Sequence, residues 1–286
     1  LPPGTDAGHF SPGGSTEQTK CSPGTVQPIR GMATCDKCAA GTYQPDEGEQ
    51  ACVACEPGSY CPEGASAALP CKEGSYSIST NLTTGAECTP TAKGHYAPTG
   101  STMQTACSPG TVAPNTSMAT CVKCEAGTFQ GKEGNQTCEP CPKSSWCAAG
   151  SSAPTACEAG TVGRLPGLKS AKECERCPLG SWCSAGLTVP CGINTFQPQP
   201  NQIYAGACKQ CPRFSESGES SESAEDCKCQ AGYYDSEPAA DKVACEPCPF
   251  GSECKKSGST LAQLPLQPGY WRTNDNSSDL RRCPDA

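Results

Sequence analysis

Leucine, isoleucine, valine and phenylalanine together supply only 27 of the 286 residues. An ordinary globular domain carries roughly 20% or more of these four types, so one conventional hydrophobic core is excluded. Long apolar runs are missing as well. No stretch approaches the roughly 18 apolar residues of a membrane helix. The net charge of −8 is spread thinly, without a basic stripe, which excludes nucleic acid as a partner. There are two histidines, His9 and His95, and no serine–histidine–carboxylate constellation or paired carboxylates. The sequence is therefore expected not to be an enzyme, and it implies no metal and no cofactor.

Low aliphatic content by itself signals disorder. Here 27 cysteines oppose that reading. Such density marks a disulfide scaffold made in an oxidising compartment, in which cross-links replace the core. A closed loop of about 15 residues contributes roughly 3 kcal/mol in the chain-entropy model. Gly and Pro total 59 residues, so turns dominate and long helices are not expected.

The cysteines repeat. Cys21, Cys35, Cys38, Cys52, Cys55, Cys61, Cys71 and Cys88 recur 86 residues later as Cys107, Cys121, Cys124, Cys138, Cys141, Cys147, Cys157 and Cys174, without a gap. Gly8-His9-Phe10 likewise aligns with Gly94-His95-Tyr96, so the two histidines read as structural. Thr5, Thr91 and Cys177 share one repeat position, and only the third copy carries the cysteine. The expected organisation is residues 1–6 as the end of a preceding module, 7–92 and 93–178 as two cysteine-rich repeats, 179–254 as divergent repeats, and 255–286 as the start of a different terminal module. Leu266 stands where other loops have their opening cysteine.

The smallest unit is Cys, two residues, Gly, Thr or Ser, then an aromatic or Val, a polar run and Cys. It predicts the pairs Cys21–Cys35, Cys38–Cys52, Cys107–Cys121 and Cys124–Cys138. Each quartet of the Cys55, Cys61, Cys71, Cys88 kind admits neighbouring or crossed pairing. Because 27 is odd, one cysteine lacks a partner. Neighbour pairing leaves Cys283; crossing, with Cys254–Cys283, leaves Cys248. The Cys-x-x-Cys pairs approach zinc-ribbon spacing, but unbroken repetition favours junctions between disulfide loops. The acidic turn Asp46-Glu47-Gly48-Glu49 reads as a solvated loop before it reads as a calcium site. The aromatics, one per loop at a fixed place, are expected to pack on the next disulfide. Asn81, Asn115, Asn135 and Asn276 head acceptor sequons for N-linked glycans, in keeping with a secretory route.

Loops such as Cys38-Ala-Ala-Gly41-Thr-Tyr43, joined by Cys-x-x-Cys, resemble the ephrin-receptor-like cysteine-rich repeat. Cys227-Lys-Cys229-Gln-Ala-Gly232-Tyr-Tyr234 and Cys245-Glu-Pro-Cys248-Pro are especially close. The first-loop topology is also similar to tumour necrosis factor receptor modules, and Pro268-Gly269-Tyr270-Trp271-Arg272 resembles tandem arrays in large surface proteins of algae and other protists. The expected fold is small disulfide-rich modules in tandem, with short β-hairpins and loops, almost no helix, and an elongated rod in which each module touches only its neighbours. The expected role is an extracellular structural or adhesive one: spacer, filament, matrix or surface-coat component, a flagellar hair among them. The alternative is the ligand-binding ectodomain of a receptor. Expected partners are other protein chains, including copies of itself or a longer parent polypeptide.

Overall fold

The computed structural model describes residues 4–238 and 242–284. Among them there is no α-helix. Regular structure consists of fifteen two-stranded antiparallel sheets, most with strands of two residues, and four single 3₁₀ turns. The fold is thus a tandem array of small disulfide-rich modules, as the cysteine spacing implies. The chain divides into two compact units, residues 1–139 with 148–153, and residues 140–147 with 154–286.

The regular hairpins are each built from one copy of the loop motif. The first strand follows the glycine, as at Thr25–Val26 and Thr42–Tyr43, and the second lies just before the next cysteine, in the gap of a Cys-x-x-Cys pair at Asp36–Lys37 and Val53–Ala54. Pairing runs Thr25 with Lys37, Val26 with Asp36, Thr42 with Ala54 and Tyr43 with Val53. Two-residue strands cannot stand alone. What holds them is visible in the burial pattern. The fully enclosed side chains are mostly disulfide cysteines, while second strands such as Asp36–Lys37, Val53–Ala54 and Thr89–Pro90 are exposed.

The longer loops absorb their extra residues in a 3₁₀ turn placed just before the closing cysteine. Gly85–Glu87 precedes Cys88, Ala171–Glu173 precedes Cys174, and Ala224–Asp226 precedes Cys227. An acidic side chain caps the turn. Glu87 accepts the Thr84 N–H at 3.1 Å, Glu173 the Lys169 N–H at 2.9 Å, and Asp226 the Ser223 N–H at 2.9 Å.

Within each unit the hairpins are joined by backbone hydrogen bonds. In the first unit, the Gly8 N–H donates to the Gln27 carbonyl of the next hairpin at 2.7 Å, and the Gly8 carbonyl accepts from the Cys21 N–H at 2.9 Å. The Cys21 carbonyl then accepts the Gly48 N–H, from the loop one hairpin further on, at 2.9 Å. The same three bonds recur from Gly24 through Cys38 to Gly64, and in the second unit from Gly180 through Cys191 to Ser220. Sequence reasoning expects contact between neighbours only. The ladder reaches two hairpins ahead, because a strand pair of this size leaves most of its backbone groups to be satisfied elsewhere.

Candidate functional site: the cystine–glycine ladder

Every residue of the loop motif has a definable task in this ladder. The cysteines close neighbouring pairs. Cys21–Cys35, Cys38–Cys52, Cys107–Cys121 and Cys124–Cys138 each have Cα atoms 5.7 Å apart. The quartet resolves to neighbours as well, with Cys55–Cys61 and Cys71–Cys88, and the second repeat pairs Cys141–Cys147 and Cys157–Cys174. Cys177–Cys183 and Cys248–Cys254 follow the same six-residue spacing, and Cys283 is the free cysteine, half-buried. In each Cys-x-x-Cys pair the first cysteine bonds backwards and the second forwards. Cys35 joins Cys21 while Cys38 joins Cys52, so neither offers a thiolate to a metal ion. Among the described residues, no group of His, Cys, Asp or Glu is arranged to hold a metal ion.

The glycine has two requirements at once. Gly94 has φ +81°, and a Cβ added there would lie 1.9 Å from the Gly134 carbonyl oxygen. Gly8 stands in the same relation to Gly48. Only glycine meets both the left-handed backbone and the close approach. The Thr or Ser that follows closes the turn. Thr25, Thr42 and Thr111 each donate a hydroxyl to the carbonyl three residues back, at 2.7 Å.

The aromatic position comes next. Tyr43, Tyr60, Tyr76, Phe129, Trp146, Trp182 and Phe196 are all half-buried. Tyr43 packs on Cys55 and Cys61, and Tyr60 on Cys71 and Cys88, so each ring covers the following disulfide. The same residues form single parallel bridges to the next loop, Tyr43 with Ala65 and Tyr60 with Leu82. Packing on the following loop therefore accounts for Tyr43 and Tyr60.

Sequence reasoning missed the position after the aromatic. Gln27, Gln44, Gln130 and Gln197 are buried, Gln27 to 1% exposure. Each clamps its own loop with both ends of its amide. Gln44 donates to the Ala51 carbonyl at 2.8 Å and accepts the Asp46 N–H at 2.9 Å; Gln130 does the same to Thr137 and Lys132. The signal was present as Gly-Thr-Val-Gln27, Gly-Thr-Tyr-Gln44 and Gly-Thr-Phe-Gln130. A polar residue in a polar run carries no period, so it did not stand out.

The acidic turn at Asp46 to Glu49 serves the ladder through its backbone. The Glu49 carbonyl accepts the Gln27 N–H at 3.2 Å, and Gly48 is the residue that crowds Gly8. His9 and His95 sit alike, with Nδ1 3.3 Å from the Ala7 carbonyl and 3.2 Å from the Lys93 carbonyl. Of the sequon asparagines, Asn81, Asn115 and Asn276 are exposed and Asn135 is half-buried. Asn81 sits in the ladder with φ 60°, its N–H donating to the Cys55 carbonyl at 2.9 Å. Thr83 of that sequon donates its hydroxyl to Glu87, the foremost reason the Glu87 carboxyl is held below its ordinary pKa. Tyr234 is pushed above its usual value, first by burial and then by the Glu246 charge, whose carboxylate lies 3.3 Å from its hydroxyl.

The sequence that builds this ladder matches a known family in two places. The family described as tyrosine-protein kinase ephrin type A/B receptor-like matches residues 24–67 and 110–157. The two segments begin 86 residues apart, and in both the match falls on the cysteine-rich repeat. No curated protein matches the chain. Among the described residues, no helix is long and apolar enough to cross a membrane.

Proposed function

We propose that this chain is an extracellular structural or adhesive repeat protein: a disulfide-stapled spacer, filament, matrix or surface-coat component, without enzymatic activity. The observation that carries the reading is the ladder itself. Cysteine, glycine, threonine, aromatic and glutamine are each committed to joining one hairpin to its own loop or to the next two. A repeat of this kind is built to transmit position or force along the chain rather than to surround a substrate. Thirteen disulfides require an oxidising compartment, and the sequons at Asn81, Asn115, Asn135 and Asn276 fit passage through a secretory route.

The test is assembly. Purified oxidised chain is examined over a concentration series by sedimentation and electron microscopy, with glycan mapping of material from the native source. Concentration-dependent ordered assembly, with glycans on at least one sequon, supports the reading. A chain that stays monomeric and captures one soluble secreted ligand with fixed stoichiometry replaces it with a receptor ectodomain, the second reading that the matched family's description favours. A radius of gyration near 19 Å, the value for a compact 286-residue globule, would remove the extended spacer expected from sequence.

A further inference from the structure

Residues 89–106, wholly inside the first unit, lie between Cys88 and Cys107, and no disulfide begins or ends among them. Elsewhere between Cys21 and Cys254 the stretches between closed loops are short. They hold two residues at Cys35/Cys38, nine between Cys61 and Cys71, and seven between Cys183 and Cys191. The segment at 89–106 holds 18.

The missing cross-link has a definite place, because the backbone around Thr91 and Ala97 repeats that around Cys177 and Cys183. The Thr91 N–H donates to Gly74 O at 2.9 Å, as the Cys177 N–H does to Gly160 O at 2.9 Å. The Ser117 N–H reaches Thr91 O at 3.1 Å, as the Asn201 N–H reaches Cys177 O at 3.1 Å. Gly74 N–H to Ala97 O is 2.7 Å, and Gly160 N–H to Cys183 O is 3.1 Å. Thr91, Ala97, Cys177 and Cys183 are all 0% exposed. One copy is cross-linked across six residues and the other is held only by hydrogen bonds, including Met118 N–H to Thr91 Oγ1 at 3.0 Å.

We propose that residues 89–106 are a yielding joint, the interior segment that opens while the disulfide loops on either side of it in sequence stay shut. A closed loop regains little conformational freedom when its contacts break, whereas an uncross-linked segment regains all of it. Opening exposes 18 residues of free chain, about 60 Å at full extension. The weak step follows from the covalent pattern; its use as an extensible joint rests on the structural role proposed above.

Hydrogen exchange of the full oxidised chain tests the step. Amides of 91–106 are expected to exchange faster than those of 177–190. In the double variant Thr91→Cys, Ala97→Cys, with thiol counting showing Cys283 alone free, exchange across 91–106 slows by roughly 30-fold and that of 177–190 stays unchanged. Equal protection of the two segments in the parent chain, or no slowing in the cross-linked variant, overturns the proposal. Should the new disulfide not close, Thr91→Ala serves instead: it removes the acceptor of the Met118 N–H and must speed exchange in 91–106, and no change counts against the joint. Pulling the oxidised chain by its ends reads the mechanical use. It should show a step of at most about 60 Å, the full extension less the folded span of the segment, that the double variant shortens by about 15 Å. A trace with no step that responds to the variant refutes the extensible joint, and leaves the assembly result to stand or fall separately.

Discussion

The hairpins between Cys21 and Cys138 and those from Cys141 on meet one backbone requirement with partly different residues. In the first region the residue three after the opening cysteine is glycine, as at Gly24, Gly41, Gly58, Gly74, Gly110 and Gly127, all with positive φ. In the second, Gly160, Gly180, Gly232 and Gly251 keep it, but three loops carry Ser144, Asn194 and Phe214 instead, which still hold φ of 68°, 62° and 61°. The hydrogen bonds persist too, with Ser144 N–H to Gly163 O at 2.8 Å and Asn194 N–H to Ser217 O at 3.0 Å. The ladder, not the glycine, therefore fixes the conformation, and a side chain at this position is carried under strain. Phe214 recovers part of that cost by stacking on Tyr233, with ring centroids 4.3 Å apart.

The sharpest way to break the comparison is to place side chains at glycines of the two kinds. Gly94→Ala sets a Cβ against the Gly134 carbonyl and is expected to cost about 3 kcal/mol or more. Gly232 has the same left-handed backbone at φ +90° but nothing within 4 Å of its Cβ position, and Gly232→Ala is expected to cost about 1 kcal/mol. Denaturant unfolding of the oxidised proteins separates the two. Equal costs would mean that crowding at Gly94 is relieved by a backbone shift.

Next in size is the glutamine clamp. Gln44→Ala leaves the Ala51 carbonyl and the Asp46 N–H without partners, which costs about 1–3 kcal/mol. Ala113 occupies the position equivalent to Gln27, so Ala113→Gln should leave stability within about 1 kcal/mol if its loop accepts the clamp. Exchange rates in the loops 44–52 and 113–121 report both variants locally.

A smaller effect of opposite sign is expected for Ser144→Gly. It relieves φ 68° without removing a hydrogen bond made by the Ser144 side chain among those described, and should stabilise by about 1 kcal/mol. A loss of stability instead would show that the hydroxyl is itself used.

The smallest effect concerns pH. Glu87 has its carboxyl pKa lowered, chiefly by the Thr83 hydroxyl, so its contribution to the loop from Cys71 to Cys88 is present above the ordinary value of 4.5 and is lost as pH falls below it. Glu87→Gln should flatten that acid-side loss. Amide exchange in 83–88 at pH 3.5 and pH 6 in both proteins measures it, and an unchanged pH response in the variant would assign the effect to another group.

Sequence alone determined the class. Cysteine density, the gapless 86-residue period and the poverty of aliphatic residues leave cross-linked hairpins as the way this chain can be held. The loop motif also marked the unit of repetition and the expected packing of the aromatics on the next disulfide, but a glycine turn after a short strand was the reading of Cys-x-x-Gly, whereas the strand follows the glycine. The quartets were not legible, because neighbouring and crossed pairings share one spacing and only the direction of each Cβ decides between them. Nor were the tasks of Gln27 and Gln44, or the reach of the ladder to a second hairpin along the chain. Those depend on which carbonyl ends up beside which N–H once the loops stack, and residues 27 and 34, or 8 and 48, meet only in three dimensions.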